Sequence, residues 1–79
     1  MGQQARPRPR YLAVKLLAIR QGLGLSQSEM VRLLNANFTS ARVSEYESGL
    51  REPNLLTLLA YARAGDVPVE KIIDDELTI

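Results

Sequence analysis

The residues most able to do chemistry lie in two short helical patterns between residues 26 and 49, separated by a polar turn. The second pattern presents small, mixed side chains rather than a uniformly charged face: Ser40, Ala41, Arg42, Ser44 and Glu45. Hydroxyl groups donate and accept hydrogen bonds, a guanidinium donates and a carboxylate accepts, so this face is suited to binding another molecule. An ordinary solvated helix carries the same residue types, and the pattern alone leaves that alternative open.

Two residue types that carry much of enzyme chemistry are missing from the sequence. There is no cysteine and no histidine, which excludes thiol chemistry, disulfides, the usual zinc ligands and the commonest general base. The carboxylates and serines are scattered, with no visible base or orienting group beside them. The sequence therefore predicts a protein that is not an enzyme and that needs no metal and no cofactor.

Length and composition favour one small domain in the cytoplasm. The chain has 79 residues, of which 46% are hydrophobic, enough for one compact core of limited size. Its longest apolar runs, YLAVKLLAI and LLTLLAYA, are shorter than the roughly 20 residues that span a bilayer. The basic stretch RPRPR has no secretory cleavage site behind it. We expect no membrane contact.

The charges divide unevenly along the chain. Residues 1–32 contain six arginines or lysines and one glutamate, whereas residues 33–79 contain four basic and eight acidic residues. This distribution permits an anionic partner at the basic end while the net charge stays at +1. Solvated surface charge explains it equally well.

The chain divides into three parts. Residues 1–9 are polar and contain Pro7 and Pro9, which exclude a helix, so we expect a flexible basic arm. Residues 10–74 carry helical patterns without repeats or a convincing strand, and residues 75–79 form an acidic and apolar C-terminal tail. The last four residues are expected to be a short edge strand or frayed.

The first two helices are predicted from apolar spacing and capping signals. Helix one begins near Arg10 and ends at Gly22 or Gly24. Its apolar residues recur three and four positions apart: Leu12, Leu16, Ile19 and Leu23. Helix two begins after Ser26, which forms a capping box with Glu29.

The third helix is predicted over residues 40–48, with Thr39 as its N-cap and Gly49 at its end. Asn54 caps the fourth helix, which closes at Gly65, and Pro68 starts a short fifth helix. The fourth helix carries the most hydrophobic face of the chain: Leu55, Leu58, Leu59 and Ala62. The fold class is therefore all-α, a compact five-helix bundle.

The stretch GLSQSEM…SEYESGLREPNLLTLLAYA resembles the Cro/repressor, or xenobiotic-response-element, helix-turn-helix family over roughly residues 12–73. Its most specific motifs are LSQ at the start of helix two, E-x-G at the close of helix three and P-N-L-x-T-L-L at the opening of helix four. The resemblance implies a lambda-repressor-like DNA-binding domain whose third helix, about residues 39–48, reads double-stranded DNA. It also implies a transcription regulator of bacterial or phage type, acting as a repressor.

Helix two and the turn that follows it depart from the family pattern. Members usually have a small residue at the fifth position of helix two and a glycine in the turn, where this chain has Val31 and Asn35. The turn NANF, residues 35–38, is also longer than usual. These differences are expected to move helix three relative to helix two while the fold survives.

The resemblance further implies a structural ion pair. In phage repressors of this type an arginine in helix one pairs with a glutamate near the end of helix three. Arg20 and Glu47 occupy the matching positions in this chain.

A helix that enters the major groove needs short or flexible polar side chains near its N-terminus, where base edges are closest. By family analogy Ser40, Ala41 and Glu45 occupy the main base-reading positions, with Arg42 and Ser44 nearby. Ala41 can contact a thymine methyl group and Arg42 a guanine or a phosphate. The two serines can contact either kind of base edge, and Glu45 a cytosine amino group.

Contacts to the DNA phosphates are expected from six residues: Gln27, Thr39, Arg51, Arg6, Arg8 and Arg10. Gln27 matches a family position that hydrogen-bonds the DNA backbone, and the positive end of helix two assists it. The three arm arginines can lie along a narrow A·T-rich minor groove. An ordinary basic tail is the alternative for the arm.

The resemblance implies a homodimer on a pseudo-palindromic site, because one such domain makes too few base contacts for useful specificity. The dimer surface is expected on helix five and the tail, or in a tail strand paired with its twin. The apolar candidates are Ile72, Ile73, Leu77 and Ile79, and the alternative, favoured for Ile72, is that they complete the core of their own domain. The alternative function is a protein-binding module of the same fold, an antitoxin or adaptor with little or no DNA binding, which the acidic second half favours.

Overall fold

The computed structural model describes residues 9–79, and every regular element within them is a helix. The helices are α1 (Leu12–Gly22), α2 (Gln27–Leu33), α3 (Ser40–Ser48), α4 (Leu55–Ala64) and α5 (Val69–Ile73). The prediction of an all-α, five-helix fold is confirmed. Residues 75–79 form no strand, and none of the described helices is long and apolar enough to cross a membrane.

Each helix contributes one fully buried side chain. In chain order these are Leu16, Met30, Val43, Tyr61 and Ile72. Burying an apolar side chain of this size contributes roughly 1.5–3 kcal/mol. Even the five-residue α5 is therefore held to the domain by burial.

Two of the predicted N-caps form as expected. The Ser26 hydroxyl accepts a hydrogen bond from the backbone N–H of Glu29 at 3.0 Å, and the Glu29 carboxylate accepts one from the backbone N–H of Ser26 at 2.8 Å. The Asn54 side chain accepts from the backbone N–H of Thr57 at 2.8 Å. Thr39 has the extended backbone of an N-cap, but its side chain makes no capping hydrogen bond. The hydroxyl of Thr39 is therefore not committed to its own helix.

Helix α1 is shorter at its start than predicted, and the prediction that Leu23 belongs to its inward face is wrong. It begins at Leu12 rather than near Arg10, and Leu23 is 40% exposed. Leu23 follows the last helical residue, and Gly24 then adopts a left-handed conformation with φ at 72°. This conformation suits glycine because it has no Cβ, and it turns the chain directly after Leu23.

The inward face of α4 also differs from the predicted one. Leu58 and Ala62 are buried as predicted, but Leu55 is 79% exposed and Tyr61 is completely buried. Leu55 is the first residue of the helix. Tyr61 lies three positions after Leu58 and so shares its face. The spacing of the four leucines in α4 did not show whether Leu55 or Tyr61 faces the core.

The C-terminal segment contacts the beginning of α1. The Asp75 carboxylate accepts hydrogen bonds from the backbone N–H groups of Arg10 at 2.9 Å and Tyr11 at 3.2 Å. These bonds lower the pKa of Asp75, and they supply the capping that the N-cap residue Tyr11 cannot. The buried Lys15 ammonium donates to the Asp74 carbonyl at 2.8 Å. The division of the chain at residue 74 stays a prediction.

Candidate nucleic-acid interface

Helix α3 has one buried and one exposed side. Val43 and Tyr46 face the interior as predicted, and the helix packs against α1 and α2. On the other side, Ala41 and Ser44 are exposed. The remaining predicted base-reading residues, Ser40, Arg42 and Glu45, are partly exposed. All five can therefore be reached by a partner that lies along this helix, and we call them the reading surface.

A bidentate ion pair ties α3 to α1. The Arg20 guanidinium donates from Nε to Glu47 Oε2 at 2.7 Å and from Nη2 to Glu47 Oε1 at 2.9 Å. The Arg20 and Glu47 side chains are only 16% and 6% exposed. The hydrogen bonds to Glu47 raise the pKa of Arg20, since they favour its charged form. The Arg20–Glu47 ion pair expected from the sequence is thus present, and it is largely shielded from water.

The ion pair also reaches α2. Gln27 Nε2 donates to Glu47 Oε1 at 3.1 Å, and Arg20 Nη1 donates to the Leu25 carbonyl at 2.8 Å. Side chains from α1, α2 and α3 are therefore joined around the single carboxylate of Glu47. The hydroxyl of Tyr61 is buried nearby without a hydrogen-bond partner, and burial followed by the Glu47 charge raises its pKa. These bonds fix the orientation of α3 relative to α2.

In the turn between α2 and α3, Asn35 replaces the glycine that family members usually have. Asn35 adopts the left-handed conformation with φ at 52°, which asparagine tolerates better than most residues. The backbone N–H of Asn35 donates to the Arg32 carbonyl and that of Ala36 to the Val31 carbonyl. These bonds close α2 in the way that usually follows a glycine. Val31 is partly buried beside this turn.

The family of the chain is identified by its similarity to known proteins. The helix-turn-helix family profile matches residues 16–72, a stretch that includes α2, the turn and α3. The chain belongs to the helix-turn-helix family. Among solved structures, the crystal structure of the P22 c2 repressor protein in complex with synthetic operator 9T in the presence of Tl+ is similar, with a TM-score of 0.72 and 20% sequence identity. That match covers 81% of this chain and 94% of the other. The curated proteins contain no match.

Membership in the helix-turn-helix family confirms the resemblance seen in the sequence, which is of the Cro/C1 type. The P22 c2 repressor match confirms the lambda-repressor-like fold. A helix-turn-helix chain of this kind is not an enzyme, as the missing histidine and cysteine predicted. Within residues 9–79 no cluster of acidic side chains could hold a metal ion.

Glu45 of the helix-turn-helix lies between two arginines. Its Oε1 accepts a hydrogen bond from Arg51 Nε at 3.0 Å and lies 3.4 Å from Arg42 Nε. One oxygen of the carboxylate expected to meet a cytosine is therefore already paired with arginine in the free protein. The contact between Glu45 and Arg51 was not predictable from helical spacing, because Arg51 lies beyond the end of α3.

Phe38 is a member of the site that the sequence analysis did not assign. Its ring packs edge-on against Tyr46, with centroids 5.7 Å apart and planes at 89°. The Arg42 guanidinium carbon lies 5.7 Å from the centre of the same ring, within cation–π range. Helical spacing does not predict this contact, because Phe38 lies in the turn before α3. Phe38 therefore links the core under α3 to the reading surface.

The predicted phosphate contacts are spread around the helix-turn-helix. Gln27 begins α2, Thr39 precedes α3, and Arg51 follows it; Thr39 and Arg51 are exposed. Arg10 is exposed, and its guanidinium carbon lies 5.7 Å from the centre of the Tyr11 ring. Gln27 has one amide hydrogen committed to Glu47 and keeps the other. Arg6 and Arg8 lie outside the described residues.

Proposed function

We propose that this helix-turn-helix protein is a transcription regulator, a repressor, that binds specific double-stranded DNA sites by placing α3 in the major groove. The observation that carries the proposal is the division of α3 into a buried face and an exposed polar face. That exposed face offers short side chains near the helix N-terminus, where base edges come closest. The P22 c2 repressor, similar in fold, is bound to operator DNA in its structure.

In this proposal the reading surface divides into apolar and polar contacts. The exposed Ala41 meets a thymine methyl group, and Arg42 meets a guanine or a phosphate. Ser40 and Ser44 contact either kind of base edge, while a cytosine contact by Glu45 requires that its carboxylate share or leave its arginine partners.

Phosphate contacts would position the domain on both sides of α3. Thr39 has a hydroxyl without a capping role, and Gln27 lies at the positive end of α2. Arg51 and Arg10 supply exposed charge. The arm arginines Arg6 and Arg8 would extend this contact toward the minor groove.

The proposed regulator acts as a homodimer on an inverted repeat. Ile72 is fully buried in its own domain and is not available for a partner. Ile73, Leu77 and Ile79 are each about two-fifths exposed and remain the candidates for the dimer surface. Because dimers bind half-sites about one helical turn apart, the spacing of the repeat reports the geometry of this contact.

The proposal is tested by selecting bound duplexes from a random DNA pool at two salt concentrations. An enriched inverted repeat supports it, and Ser44→Glu should abolish the enrichment because it adds a negative charge to the reading surface. Gln21→Glu is the matched control, since it adds the same charge at an exposed position of α1. Weak retention without any enriched sequence would refute specific binding.

A second candidate function is a protein-binding module, an antitoxin or adaptor. It is favoured by three leucines near the α3–α4 loop, Leu50, Leu55 and Leu56, which are each nearly four-fifths exposed. Exposed apolar groups of this size are typical of protein contacts. This function predicts that the selection finds no enriched DNA and that substitution of these leucines by serine improves solubility without a change in fold.

A further inference from the structure

Glu45 contacts the backbone that follows α3 as well as the side chains of Arg42 and Arg51. Its backbone carbonyl accepts hydrogen bonds from the N–H groups of Leu50 at 3.0 Å and Arg51 at 3.3 Å. This reversal depends on Gly49, which has a left-handed φ of 82°. The reversed chain carries Arg51 back to the Glu45 carboxylate. The position of Arg51 is thus set by Glu45 through both backbone and side chain.

Arg42 also has two partners. Its guanidinium carbon lies 5.7 Å from the centre of the Phe38 ring, and its Nε lies 3.4 Å from Glu45 Oε1. Both arginine Nε atoms point to the same oxygen, Oε1 of Glu45. The guanidinium groups of Arg42 and Arg51 therefore form an ordered pair that shares one counter-charge.

We propose that Glu45 is a positioning and specificity residue of the reading surface, which holds Arg42 and Arg51 in register and offsets their charge against non-cognate DNA. The inference rests on the DNA-binding function proposed above. It assigns Glu45 an action through the two arginines, whereas a cytosine contact would be a direct action on one base. The two roles predict different mutational results.

The Glu45 carboxylate weakens binding to the wrong DNA sequence. Non-specific affinity comes from arginines and lysines that neutralise phosphates and release counterions. A carboxylate between two guanidinium groups lowers this gain, because it is itself repelled by phosphate. At a cognate site the ordered arginines bind without a further loss of side-chain freedom, which disordered arginines would have to lose on binding. Glu45 therefore widens the difference between cognate and non-cognate sites.

The test compares wild-type protein with Glu45→Gln, which keeps the size of the side chain and removes its charge. Fluorescence anisotropy would measure binding to the inverted repeat selected by the wild type and to a shuffled duplex of equal composition. We expect shuffled binding to tighten about three- to tenfold and its log–log salt slope to steepen by up to about 0.9. The ratio of cognate to shuffled affinity should fall by about tenfold.

The matched control is Asp66→Asn, which makes the same change of charge at an exposed position between α4 and α5. It should leave the affinity ratio within about twofold of wild type, because its charge lies outside the reading surface. Thermal melting would verify that both variants fold. An unchanged ratio in folded Glu45→Gln protein overturns the inference even when the wild type selects a clear site.

A double-mutant cycle separates the two roles of Glu45. If it acts through the arginines, Glu45→Gln should have a much smaller effect in an Arg51→Gln background. An undiminished effect, with altered preference at one base pair of each half-site, would show direct reading of a base and overturn the positioning role. Failure of the wild type to select any DNA would instead refute the proposed function, on which the inference depends.

Discussion

The carboxylate of Glu47 joins α1, α2 and α3 through Arg20 and Gln27, and its removal should strongly destabilise the domain. Glu47→Ala leaves the Arg20 guanidinium, only 16% exposed, without its charged partner and removes the acceptor of the Gln27 amide. Breaking a buried pair by removing one partner costs about 3–5 kcal/mol, because the other charge stays buried and unpaired. A domain of this size has a total stability of roughly 4–12 kcal/mol.

The loss of unfolding free energy is measured by urea unfolding at constant temperature, with the helical signal in circular dichroism as the readout. Since 1 kcal/mol shifts the midpoint of a small domain by roughly 4–8 °C, thermal melting should show a fall of at least about 12 °C. Glu45→Ala is the internal control, because the Glu45 side chain is 38% exposed and such pairs contribute at most about 1 kcal/mol. Equal, small losses in the two variants would refute the argument.

A double variant tests whether the unpaired charge of Arg20 causes the loss of stability in Glu47→Ala. Replacing both partners, with Arg20→Met and Glu47→Leu together, leaves no stranded charge. The double variant should recover much of the stability lost in Glu47→Ala, because buried ion pairs are often replaceable by apolar residues. A double variant as unstable as the single one would show that packing rather than charge pairing dominates.

Three further variants test other parts of the molecule. Tyr61→Phe should change stability by less than about 1 kcal/mol, or raise it, since the buried hydroxyl has no partner, whereas Tyr61→Ala should cost about 3–5 kcal/mol; a large loss in urea unfolding of the phenylalanine variant would reveal a hidden partner. The pKa of Asp75 is lowered in the folded protein, so its contribution is present above the unfolded pKa of about 4 and is lost as pH falls through the folded value. Asp75→Asn should thus be less stable than wild type at pH 7, and a difference that persists unchanged at pH 2 would contradict this assignment. Replacing the three arm arginines by glutamine should flatten the salt dependence of DNA binding by about 0.9 per lost phosphate contact, or about 2.7 in all; an unchanged slope would show that the arm is not engaged.

The local part of the fold was predictable from the sequence because its signals lie close together in the chain. Ser26 and Glu29 are three residues apart, and Asn54 directly precedes the helix that it caps. The bounds of α3, residues 40–48, followed from the inward spacing of Val43 and Tyr46 and from the glycine after it. Each of these features is settled within one or two helical turns.

The contacts that the sequence did not reveal join distant residues or depend on a chain reversal. Asp75 accepts a hydrogen bond from the N–H of Tyr11, 64 positions away in the sequence. Lys15 donates one to the Asp74 carbonyl, 59 positions away. The contact between Glu45 and Arg51 needs the left-handed Gly49 to bring the chain back. Periodicity cannot supply such information, because it describes one helix at a time. The Arg20–Glu47 pair was expected only through the family resemblance.

If α3 reads base edges, a change of one residue of the reading surface should change the DNA sequence that the protein selects. Ala41→Gln replaces an exposed helix former by another and exchanges a methyl contact for a side chain that prefers adenine. Random-pool selection with this variant should change thymine to adenine at one symmetric position of the inverted repeat and leave the other positions unchanged. Selection of the same repeat with uniformly weaker binding, or of no repeat by either protein, would show that α3 does not read base edges through Ala41.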